Sequence, residues 1–365
     1  MMVETINNVY GRTVNPFNRK LSCGGSSGGA AVNAALGGDV ISIGSDIGGS
    51  IRIPSAYQHL YGLCPTFGRF PAYGTRSALP GLEAIHLVSG PLCRSLDSME
   101  FYLENILAAD PSTIDPMCSY LPWKPIDLSG EKLTFAICLD DGFVRPVPPV
   151  RRALKTVKKL IEDAGHEVIE WQPKDLLRDL TVLSLKLFFA EGAETIKKTI
   201  KASGEPFLSQ FELFHLKELE PITVSELYQA QEEKAKMLKQ FLDEWMATKK
   251  LTKNGKVIDA FILPVAPYPA PPHNKAGWFG YTTAFNVLGW PAGVLPVTYA
   301  DKNVDIVEKN YEPRNPFDKQ IYDNYDPVES DGCPVSIQVS AKRFEEEKIV
   351  AVLKVLSKLL QDSQK

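Results

Sequence analysis

Gly24-Gly25-Ser26-Ser27-Gly28-Gly29 and, one short unit further on, Asp46-Ile47-Gly48-Gly49-Ser50-Ile51-Arg52 are the two stretches on which the reading of this chain turns. Between them, Ala-Ala-Val-Asn-Ala-Ala-Leu is stopped by Gly37-Gly38, which predicts a helix over residues 30–36. Asp39-Val-Ile-Ser-Ile-Gly then predicts a short buried strand. Loop, helix, strand, loop is thus the local order around the glycines.

The first stretch admits three readings. A flexible Gly/Ser linker is disfavoured because apolar elements follow at once. A phosphate loop needs a lysine after its glycines, and none follows. The third reading is nucleophile chemistry, since Gly25-Ser26-Ser27-Gly28-Gly29 matches G-x-S-x-G with Ser27 at its centre. That elbow must follow a strand, yet residues 15–23 are polar and irregular, and neither His215 nor His273 stands in a recognisable partner context. The Ser27 elbow is kept as a rival esterase reading.

The second stretch is suited to acyl transfer. Consecutive N–H groups at Ile47, Gly48, Gly49 and Ser50 can converge on an anion, because glycines tolerate the dihedrals of such a nest. A serine at its end has its hydroxyl beside an oxyanion hole. Pro54 then suits a helix start whose dipole favours the same negative charge.

With Ser26 and Ser50 standing 24 positions apart, these motifs resemble the amidase signature family. The likeness continues in Gly62-Leu-Cys-Pro-Thr-Phe-Gly-Arg, Ser89-Gly-Pro-Leu-Cys-Arg-Ser-Leu, Tyr281-Thr-Thr-Ala-Phe-Asn-Val-Leu-Gly-Trp-Pro-Ala and Pro334-Val-Ser-Ile-Gln-Val, nearly the whole chain. Tyr311-Glu-Pro-Arg-Asn-Pro and Tyr325-Asp-Pro resemble the fungal acetamidase branch. The resemblance implies an α/β fold with a central mixed β-sheet flanked by helices, as one domain over 1–365 with the signature core at about 15–100.

It also implies carboxamide hydrolysis by a Ser–cis-Ser–Lys triad, releasing a carboxylate and ammonia. Ser50 takes the place of the acylated nucleophile. Ser26 takes that of the proton-relaying serine, held by a cis peptide bond. The N–H groups of Ile47, Gly48, Gly49 and Ser50 take that of the oxyanion hole. Asp46 and Arg52 resemble the pair that shapes the loop, and Ser27 a supporting hydrogen-bonding residue. The implied substrates are small or medium aliphatic or aromatic amides, with no metal and no organic cofactor. An amidotransferase subunit that feeds ammonia to a charged tRNA shares the fold, but the fungal motifs point away from it.

One departure matters. The family's lysine lies several tens of residues before the cis-serine, and only 25 residues precede Ser26 here. Lys20, the sole lysine among them, reads as a surface residue. The chain therefore reads as incomplete at its N-terminus, with apolar surface left uncovered. A mis-assigned start, a complementing N-terminal chain or a decayed, inactive remnant each accounts for this. A smaller departure is Cys64, where the family commonly has lysine.

The bulk numbers exclude other classes. Net charge is −4, with no basic excess for nucleic acid. No run of eighteen apolar residues predicts a membrane span, and Met-Met-Val-Glu-Thr-Ile-Asn-Asn-Val-Tyr is no signal peptide. Six scattered cysteines read as reduced thiols of a cytoplasmic protein, and five histidines show no metal-ligand spacing. A small-molecule partner is expected, with a homodimer as a further option.

Downstream, a strand is predicted over 133–138, a helix from Pro149 closed by Gly165, and a strand over 166–171. Thr223-x-x-Glu226 predicts a capped helix with Leu227, Leu238, Phe241, Leu242 and Trp245 on its apolar side. Residues 260–263 predict a strand, 267–281 an ordered loop, 335–340 an alternating strand and 345–360 a closing helix. Trp278, Phe279 and Tyr281 are candidates for an acyl pocket or for plain packing.

Overall fold

The computed structural model describes residues 3–212 and 215–364. After a small hairpin of β1 (Ile6–Asn7) and β2 (Gly11–Arg12) come α1 (Gly28–Ala35), β3 (Ile41–Asp46), α2 (Arg52–Tyr57), β4 (Tyr61–Cys64), β5 (Val88–Cys93) and α3 (Leu96–Ala108). The middle of the chain forms β6 (Thr134–Ile137), α4 (Pro148–Asp163), β7 (Glu167–Glu170), α5 (Leu176–Phe188), α6 (Glu194–Ser203), α7 (Ser209–Glu212) and α8 (Val224–Ala247). The last part forms β8 (Ala260–Pro264), α9 (Gly280–Leu288), β9 (Ala292–Tyr299), α10 (Pro316–Asp323), α11 (Pro327–Ser330), β10 (Pro334–Ser340) and α12 (Glu346–Asp362).

Eight strands make one sheet in the order β3-β5-β4-β9-β10-β8-β6-β7. The sheet is mixed: β6 runs parallel to β7 and β8, and the other pairs are antiparallel. The parallel end is the expected strand–helix–strand unit. Pro148 sits in the first turn of α4, where a missing N–H costs nothing. Val150, Leu154, Val157 and Ile161 recur at helical spacing and are buried.

The alternating strand expected over 335–340 is present as β10, and the order of the strands shows where its polar side chains lie. Ser336, Gln338 and Ser340 alternate with apolar residues as in a strand with one wet face. Instead β10 lies inside the sheet between β9 and β8, and all seven of its residues are buried. The polar side chains are satisfied internally: Ser336 Oγ donates to Ala56 O at 3.1 Å, and Ser340 Oγ to Pro291 O at 2.8 Å.

The capping box at Thr223 and Glu226 starts α8 as expected. Phe241 and Trp245 on that helix are buried against Trp171 and Trp290, whereas Leu242 is 37% exposed and lies off the apolar face. At the sheet edge formed by β3, Leu36, Val40 and Ile43 are exposed. Elements α3, α5, α9, β4, β5 and β9 went unassigned in the sequence reading, and two of them (α5, α9) border the site.

Candidate active site

The two glycine–serine stretches meet. The Gly25–Ser26 peptide bond is cis, and the next residue's N–H, that of Ser27, donates to Ser50 O at 3.2 Å. Thr5 braces the same loop: its hydroxyl donates to Gly24 O at 3.0 Å and accepts from Gly28 N–H at 3.1 Å. Ser26 and Ser50 are therefore held on adjoining backbone, Ser50 buried and Ser26 half-buried. Neither hydroxyl has a hydrogen-bond partner among the described residues.

Ser27 is placed differently. Its Oγ accepts from Ser45 N–H at 3.2 Å and reaches Ser45 O at 3.3 Å, so it fastens the loop to β3. The described residues just before it, 13–26, contribute no strand to the eight-stranded sheet. Both features weigh against the elbow reading.

Asp46 organises the turn that follows. At the end of β3 it is fully buried, and Oδ1 accepts from Gly49 N–H at 2.7 Å while Oδ2 accepts from Ile51 N–H at 3.1 Å. Arg52, equally buried, binds it through Nε at 3.1 Å. Burial raises the Asp46 pKa, but the Arg52 charge and the bonds from Arg52, Asn286 and Ile51 outweigh it, leaving the pKa lowered. The negative charge expected at the start of α2 is thus the protein's own carboxylate. That helix begins at Arg52, two residues ahead of Pro54.

The Arg52 guanidinium extends the network to elements far away in sequence. It donates to Thr282 O at 2.9 Å, Gln338 Oε1 at 3.1 Å and Asn286 Oδ1 at 2.6 Å. Asn286 Nδ2 returns to Asp46 Oδ1 at 2.9 Å. Every donor of this fork meets an acceptor in fixed geometry, which an arginine supplies and a lysine does not.

Helix α9 also grips the turn directly. Thr282 Oγ1 and Thr283 Oγ1 both donate to Gly48 O, at 2.7 and 2.8 Å. Gly49 sits at φ +130°, and a Cβ there would stand 2.3 Å from Thr282 Oγ1, so only glycine fits. Of the four expected oxyanion donors, the Gly49 N–H is taken by Asp46. Those of Ile47, Gly48 and Ser50 have no protein acceptor among the described residues.

This turn forms the floor of a cleft. Its walls are apolar: Leu79 from the β4–β5 connection, Leu185 and Phe188 of α5, then Phe189 and Phe279. Of the aromatic trio singled out in the sequence, only Phe279 lines it. Trp278 packs on Phe143 and Phe317, and the Tyr281 hydroxyl donates to Val144 O at 2.6 Å.

Sequence reading missed the threonines, Asn286 and Gln338, although all four lie in stretches already noted. Thr282 and Asn286 stand four apart, on one face of a helix, which was the available signal. The walls from α5 carried only an apolar spacing. Lys20 lies at the surface, 75% exposed and 3.5 Å from Glu329, and no lysine among the described residues hydrogen-bonds Ser26.

The Amidase family model matches residues 1–350. An acetamidase of Aspergillus oryzae is 39% identical over 367 residues, which cover 99% of this chain and 67% of that protein. An acetamidase of Emericella nidulans is 34% identical, over 99% of this chain and 66% of its own length. A solved structure of a fatty acid amide hydrolase superposes with a TM-score of 0.92 at 31% identity, covering 99% of this chain and 63% of that one. The chain spans about two thirds of the length of the relatives it matches.

Proposed function

The chain belongs to the Amidase family, and on that footing we propose that it carries the acyl-enzyme half of a carboxamide hydrolase. Ser50 Oγ attacks the amide carbon, and its proton passes to Ser26 Oγ, which hands its own to a lysine amine. The tetrahedral oxygen accepts hydrogen bonds from the N–H groups of Ile47, Gly48 and Ser50. Collapse breaks the C–N bond, the leaving nitrogen takes a proton back through Ser26, and ammonia departs. Water then cleaves the Ser50 ester to give the carboxylate.

The observation that supports this reading is the 3.2 Å bond from Ser27 N–H to Ser50 O, which ties the loop bearing Ser26 to Ser50, itself a lining residue of the cleft. The lysine is proposed to come from outside these 365 residues, on a preceding segment or a complementing chain. Apolar walls and a floor of backbone N–H groups suit an amide with a medium aliphatic or aromatic acyl group. The names of the relatives, acetamidase and fatty acid amide hydrolase, bracket that range. Six free cysteines support a reducing compartment, the cytoplasm, and no helix among the described residues is long and apolar enough to cross a membrane.

The test is ammonia release from acetamide, hexanamide and benzamide by the longest product of the reading frame. Hydrolysis that drops at least about a thousandfold in Ser50→Ala supports the proposal. Hydrolysis that persists in Ser50→Ala refutes Ser50 as nucleophile. Full activity of the 365-residue chain alone refutes an outside base.

A further inference from the structure

A second cavity, of about 290 Å³, shares no wall residue with the Ser50 cleft. Its tie to that site is Asn286, which lines it and hydrogen-bonds both Asp46 and Arg52. Three basic side chains face this space: Lys234 of α8, Arg343 just after β10, and His86 just before β5. No aspartate or glutamate lines it, and neither Lys234 nor Arg343 is ion-paired among the described residues.

Lys234 is half-buried and donates only to Ala84 O, at 2.5 Å. Burial, then the Arg343 charge, pushes its pKa down. His86 stacks face-on against Phe67 with ring centroids 3.6 Å apart. Burial and these two cations lower its pKa, with Glu83 nearby pulling the other way. Two like charges sharing a partly desolvated space repel each other, and an anion between them relieves both.

Besides these cations and Asn286, the wall carries apolar side chains, among them Phe67, Leu238 and Trp290. We propose that this cavity binds an organic acid, its carboxylate between Lys234 and Arg343 and its apolar body against Phe67 and Trp290. An inorganic anion leaves the apolar walls unused, and a neutral amide leaves the cations uncompensated. An occupant also lies against Asn286, the residue that leads to Asp46. That such acids are of the class released at Ser50 rests on the amidase reading; the binding itself does not.

Isothermal titration with benzoate and hexanoate tests this without any turnover, with benzyl alcohol and inorganic phosphate as controls. One benzoate per chain is expected, with affinity falling at least tenfold in Lys234→Met and in Arg343→Gln. Benzyl alcohol and phosphate are expected to bind at least tenfold more weakly. Arg343 is exposed, so Arg343→Gln carries the test should Lys234→Met unfold. Benzoate affinity unchanged in the folded variants places the site elsewhere and overturns the proposal. Phosphate binding as well as benzoate overturns the ligand class, and no heat from any acid overturns the site.

Discussion

Asp46 commits both carboxylate oxygens to the turn that carries Ser50, and it can do so only because Arg52 neutralises it out of water. The pair is fully buried, so its net contribution to stability is small, but removing one partner strands the other charge. Arg52→Met is expected to lower unfolding free energy by about 3–5 kcal/mol, read from urea melts at neutral pH. A loss below about 1 kcal/mol contradicts the network as drawn. At this scale the sequence was most legible for residues inside the two glycine stretches. The partners supplied by Thr282, Asn286 and Gln338 were not, because hydrogen bonds across 230 or more positions leave no local spacing.

Helix α9 is the element that converts a nest-forming sequence into a fixed one, through two hydroxyls on a single carbonyl. Replacing both by Thr282→Val and Thr283→Val keeps shape while removing the donors. The expected result is a fall in kcat of about tenfold or more with KM little changed, since the loss falls on groups that meet the transition state. An unchanged kcat contradicts this role. Helix α8 offers a control remote from chemistry. Thr223→Ala removes the capping hydroxyl that accepts from Glu226 N–H at 3.2 Å and is expected to cost about 1 kcal/mol without altering kcat. Helices with caps and a clear apolar stripe, such as α4 and α8, were readable from spacing alone. Strand β10 was legible as an alternating strand, but that its polar positions are buried is revealed only by its neighbours in the sheet.

One large core runs from Leu21 to Leu360, with two smaller clusters beside it, around Ala31 and Ala34 of α1 and around Ile196 and Ile200 of α6. Asp141 is the group in it that sets a pH dependence. It is 2% exposed; Oδ1 accepts from the N–H groups of Phe143 and Val144, both at 2.8 Å, and Oδ2 has no partner. Burial pushes its pKa up to about 6 against those bonds. Between the unfolded value, near 3.8, and about 6 the folded state holds more protons, so stability falls as pH rises through that window. The loss is complete above it and amounts to about 3 kcal/mol. Melting curves of wild type and Asp141→Asn should diverge by about that amount between pH 4 and pH 7, with the variant gaining; parallel curves contradict it. The mixed sheet with its helices was legible in outline, because two adjacent motifs at the right spacing name an architecture. The cleft walls were not, since Leu79, Leu185, Phe188 and Phe279 converge only after the chain has folded. The central claim is that Ser50, not Ser27, is the acylated residue. The direct measurement is reaction of the longest reading-frame product with a fluorophosphonate, followed by mass-spectrometric mapping of the adduct. A single adduct on Ser50, lost in Ser50→Ala and kept in Ser27→Ala, is the predicted result. An adduct on Ser27, or none on any serine, contradicts the account.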